Sequence, residues 1–120
     1  MQKHMMMLLM FTFMTIGAFA QTNFETEGDV LNYLEGKTFY SNNGSIQVKI
    51  GYSSELNSYG VILNGKKTHF NLDITVLSPT IAVVKGASLS NPDGVIKIRV
   101  YATKNCLEND GSYYCQKSYE

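Results

Sequence analysis

Between Lys66 and Leu77 the chain alternates. Thr68, Phe70, Leu72, Ile74 and Val76 take every second position, with Lys67, His69, Asn71, Asp73 and Thr75 between them. Successive side chains on a strand point to opposite faces, so the pattern predicts one long strand with an apolar side and a polar side. Such a strand must bury its apolar side against other elements. The shorter apolar segments around it are the material for that.

Three dipeptides set how those segments pair. Asn43-Gly44, Asn64-Gly65 and Asp110-Gly111 are the pairs preferred where both residues of a two-residue hairpin turn need positive φ. The first turn sets Phe39 opposite Val48. The second sets Val61 opposite Thr68 and Tyr59 opposite Phe70, so the apolar faces match. The third sets Cys106 opposite Cys115, in a non-hydrogen-bonded pair whose Cα atoms stand about 4.5 Å apart. A disulfide spans that distance. Cysteine count and turn chemistry therefore both predict a Cys106–Cys115 bridge.

The remaining elements follow in order. Thr26 to Glu35 reads as a short helix, with Thr26 and Asp29 as a capping box and Val30, Leu31 and Leu34 as its apolar stripe. Strands are predicted from Lys37 to Tyr40, from Ile46 to Tyr52, from Tyr59 to Leu63, from Lys66 to Leu77, from Thr80 to Lys85 and from Val95 to Ala102. Two more form the cysteine hairpin. Ile81 and Val83 are expected to face Val76 and Ile74. On the strand from Val95 to Ala102, Ile96, Ile98 and Val100 are expected inward, and Lys97, Arg99 and Tyr101 outward. The fold expected is mainly β: an antiparallel meander of about seven or eight short strands. It would form a small barrel or a two-layer sandwich with the one N-terminal helix packed on it.

The first twenty residues stand apart. Lys3 and His4 precede a fifteen-residue apolar run from Met5 to Phe19, and Ala18-Phe19-Ala20 closes it. That is the pattern of a secretory signal cleaved after Ala20. Residues 1–20 are thus expected to be the signal and residues 21–120 a single β-rich domain, secreted or periplasmic. Residues 116–120 read as a loose tail. After position 20 there are nine basic residues and ten acidic ones, a net charge of −1. This gives no electrostatic case for nucleic acid. No later stretch is apolar enough to span a membrane.

Few residues nominate chemistry. His69 is the only histidine after position 20, and the alternation puts it on one polar face with Asn71 and Asp73. A histidine, an amide and a carboxylate at that spacing are the parts of a general base or a metal site. With no second histidine or free cysteine, the plainer reading is a solvated strand face. No catalytic residue, metal ligand or cofactor is assigned. Tyrosine is the compositional excess, eight residues with no tryptophan. Tyr40, Tyr101, Tyr113 and Tyr114 include outward positions, and exposed tyrosines suit binding faces. Asn43-Gly44-Ser45 is also a glycosylation sequon.

Three functions are compatible with this reading. The first is a non-enzymatic binding module for a protein, glycan or small ligand, using the tyrosine-bearing surface or a sheet edge. The second is a lipocalin-like carrier, with a cavity of several hundred Å³ lined by Phe39, Ile50, Phe70 and Ile74. The third is a small hydrolase using His69 and Asp73.

Overall fold

The structure is a computed structural model in which residues 22–116 are described. The expected signal and its cleavage site, and all but the first residue of the expected tail, lie outside the described residues. A helix, α1 (Glu27–Leu34), precedes eight strands. These are β1 (Phe39–Tyr40), β2 (Gln47–Ser53), β3 (Ser58–Leu63), β4 (Lys66–Ser78), β5 (Ile81–Ser88), β6 (Val95–Tyr101), β7 (Cys106–Asn109) and β8 (Ser112–Cys115). Each pairs antiparallel with the next, and β8 returns to β1, so the meander closes into a barrel rather than a sandwich.

The interior is apolar. Phe39, Val61, Val84, Val100 and Leu107 are fully buried. Val30 and Leu34 of α1 join them, because the helix covers one end of the barrel. Thr26 caps α1 by accepting from the Asp29 amide, while the Asp29 carboxylate accepts from the Thr26 amide. Two contacts hold this lid to the strand connections below it. The Phe24 amide donates to the Pro79 carbonyl at 2.7 Å, and the Tyr33 hydroxyl donates to Asn105 Oδ1 at 2.6 Å. Burial pushes the Tyr33 pKa up to about 12, so the hydroxyl stays a donor.

The outer face has the opposite polarity. Lys49, Lys67, Asp73, Lys85 and Lys97 are exposed on it. A barrel that crosses a membrane turns apolar residues outward instead. No described helix is long and apolar enough to cross one.

Two turn expectations hold in detail. Asn64 and Gly65 have φ of 50° and 81°, and Asp110 and Gly111 have 54° and 88°, as a type I′ turn requires. Cys106 pairs with Cys115 at a Cα separation of 4.0 Å, and the two are bridged. Phe39 also pairs with Val48. The turn between them differs, however. Only Gly44 has positive φ there, and its amide donates to Ser41 O across a longer loop. Lys37 and Thr38 lie before β1 rather than in it.

The corrections cluster on β4. Val61 pairs with His69, not Thr68, and Phe70 with Gly60, not Tyr59. The turn starts the register as expected, with Leu63 opposite Lys66 and Ile62 opposite Lys67, and then one extra residue enters β4. A bulge of this kind turns the following side chains over. The register with β5 shifts twice more, between Phe70 and Asp73 and between Val76 and Ser78. The last shift pairs Val76 with Ala82 and Ile74 with Val84. So Ala82 and Val84 face inward, not Ile81 and Val83. On β6 the expected alternation stands, with Ile98 and Val100 buried.

Glycines make room for this backbone. A Cβ on Gly60 would lie 2.5 Å from the His69 carbonyl oxygen, whereas one on Gly51 would meet nothing within 4 Å. Gly60→Ala is therefore expected to cost about 1–3 kcal/mol, and Gly51→Ala to stay within about 0.5 kcal/mol, in urea unfolding. Equal effects would contradict the bulge. Replacing both cysteines by serine is expected to lower stability by about 2–3 kcal/mol, read in the same way, since the bridge closes a short loop.

Candidate functional site

The bulges decide where the polar strand residues go. His69 pairs with Val61 on one side and Ser88 on the other, and Asp73 pairs with Lys85. Ser88 and Lys85 are three apart on β5, so His69 and Asp73 lie on opposite faces. The expected polar row of His69, Asn71 and Asp73 does not exist. Asn71 lies within the register shift between Phe70 and Asp73, with φ of 52°, a conformation that asparagine tolerates. His69 faces the barrel mouth: its Cβ lies 3.3 Å from a Cβ built on Gly86, beside Leu72.

His69 Nδ1 contacts Thr68 Oγ1 at 2.8 Å. Partial burial lowers its pKa below the usual 6.5. The cleft outside it, about 600 Å³, is lined by charged side chains of both signs, Lys97, Arg99, Glu108 and Asp110. Arg99 is held more firmly charged than usual, first by a hydrogen bond with Tyr101 and then by the charge of Glu108. Glu55 turns to Lys67, not to His69. No group of three metal-binding side chains is present among the described residues.

The tyrosines separate differently. Tyr113 pairs with Glu108 and Tyr101 with Cys106, and both lie on the outer face. Their rings stack at 6.3 Å with an interplanar angle of 28°, and Lys104 Nζ lies 5.4 Å from the Tyr101 centroid. Tyr40 pairs with Cys115, two residues from Tyr113 on the same face. The structure thus brings Tyr40, Tyr101 and Tyr113 together around the disulfide. Tyr114 points the other way, opposite Leu107, and packs against the core.

Two shallow hollows flank Tyr113, one of about 440 Å³ and one of about 350 Å³. Both are bordered by Ser41 and Asn42 of the β1–β2 loop. Sequence reasoning treated that loop as a turn and missed its place beside the tyrosines. The run Ser41-Asn42-Asn43 gave no signal of it, since Ser and Asn are ordinary turn residues. A second tyrosine pair, Tyr52 and Tyr59, packs edge-to-face at 5.3 Å on the hairpin of β2 and β3.

The interior offers little space. The opening between Val61, Ile98, Leu107 and Tyr114 holds about 50 Å³. Phe70, an expected cavity residue, is on the outer face opposite Gly60 and Ala87. No known protein family matches the chain, and no curated protein or solved structure does.

Because burial favours neutral His69, the folded protein binds fewer protons there than the unfolded chain does. Its contribution is present above the ordinary histidine pKa and is lost as pH falls below it. The urea midpoint is expected to drop between about pH 7 and about 5.5, and His69→Gln to flatten that drop. An NMR titration placing the ring at or above 6.5 would sink the assignment.

Proposed function

We propose that the protein is an exported binding module, secreted or periplasmic, that acts through the outer face carrying Tyr40, Tyr101 and Tyr113. One observation carries the reading. Three tyrosines far apart in sequence converge on one face over a covalent cross-link. Tyr113 remains 49% exposed, so contact area is left for a partner. Tyrosine combines apolar area with a polar tip and loses little entropy on binding.

The disulfide supports the compartment, since such bonds persist in oxidising surroundings. The opening among Val61, Ile98, Leu107 and Tyr114 holds about 50 Å³, which weighs against a carrier needing several hundred. The separation of His69 from Asp73 removes the dyad that a hydrolase reading relied on.

The test is adhesion. Fluorescently labelled protein is applied to cells and extracellular material of the organism that produces it. Saturable binding is expected, weakened at least about tenfold by Tyr101→Ser with Tyr113→Ser. Circular dichroism confirms that the variant is folded. No adhesion, or adhesion that ignores the substitutions, would remove this reading.

A further inference from the structure

The hollows beside Tyr113 differ in kind from the cleft outside His69. Among the described residues, no charged side chain lines either of them. Their polar groups are amides and hydroxyls: Asn42, Asn43, Ser45, Ser112 and Gln116. Such groups both donate and accept, as sugar hydroxyls do. Tyr113, with one ring face stacked on Tyr101, borders both hollows and adds apolar surface to the lining.

One wall is already organised. Asn43 Oδ1 accepts from Ser41 Oγ at 2.9 Å, from the Ser45 amide at 3.0 Å and from Ser45 Oγ at 2.7 Å. Three donors on one oxygen fix which way the amide lies. Its nitrogen, with two hydrogens, has no partner among the described residues. The Asn42 amide has none either. The opposite wall is the β7–β8 hairpin, held at one end by a type I′ turn and at the other by the disulfide. Fixed walls reduce the ordering cost of binding.

We infer that this groove binds a neutral oligosaccharide, one ring packed against Tyr113 and its hydroxyls bonded to Asn42 and Asn43. The chain of sugars would pass from one hollow to the other across the tyrosine. Among the described lining residues an anionic ligand finds no cation, and a cationic one no carboxylate. The inference rests on the binding-module reading and names its ligand class.

The experiment uses the purified protein, disulfide intact, on an array of neutral and acidic oligosaccharides, with titration calorimetry of the glycans retained. Binding to one or more neutral glycans is expected. Tyr113→Ala should weaken it at least about tenfold, and Tyr113→Phe, which keeps the ring, should stay within about threefold. Should Tyr113→Ala fail to fold, Asn42→Ala carries the test, because this exposed side chain bonds to nothing described. It should weaken binding at least about threefold. Retention of acidic glycans alone, or retention that ignores both substitutions, overturns the inference. An empty array beside tyrosine-dependent adhesion makes the occupant a peptide, and the glycan inference falls while the binding module stands. An empty array with no adhesion removes both.

Discussion

The barrel is only as closed as its joint between β8 and β1. The β7–β8 ladder has four pairs, but β1 has two residues, pairs twice with β2 and meets β8 at one pair, Tyr40 with Cys115. If that pair parted, β8 and β1 would become the edges of an open sheet. Two features hold it. Phe39, next to the joint, has no exposed surface, and burying a side chain of that size contributes about 1.5–3 kcal/mol. On the other side Cys115 is tied to Cys106 and, through a four-pair ladder, to β7. The joint is one pairing wide, with burial beneath it and a covalent bond beside it.

Closure also demands curvature, and β4 supplies much of it. A thirteen-residue strand wrapped around a small barrel cannot keep an even pleat. It has three register shifts, and Gly60 and Gly86 admit its backbone and side chains at close range. Each shift changes which residues face in. His69 therefore lies at the barrel mouth with a depressed pKa rather than on the solvated face, and Phe70 lies outside over Gly60.

What the sequence made legible was local chemistry. Asn64-Gly65 and Asp110-Gly111 form the turns that their residues dictate, the cysteine register follows from the second, and Thr26 with Asp29 builds the capping box. The period-two pattern also identified the long strand and the inward set on β6. It failed at His69 and Phe70, where one inserted residue inverts the alternation and leaves composition unchanged; the next shift restores the phase, so Ile74 and Val76 face the core as expected. Gly60, Gly86 and Asn71 mark those places, yet isolated glycines and asparagines in a strand do not tell which neighbour is shifted. The tyrosines were half legible for the same reason. Tyr113 and Tyr114 are adjacent, so one had to face out, but only barrel closure brings Tyr40 beside it.

That last contact ties architecture to recognition. The opening among Val61, Ile98, Leu107 and Tyr114 holds only about 50 Å³, so the proposed recognition is assigned to the outer face. At the joint the barrel wall is thinnest, and strand pairing there gives way to a loop and a hairpin facing one another. The loop is braced by Asn43 and the hairpin by its disulfide, so the gap between them has a set width. A longer β1 would have continued the ladder along β8 and filled this gap with backbone hydrogen bonds. The short strand that makes closure precarious thus also leaves Tyr113 bordering a hollow at each end of the gap.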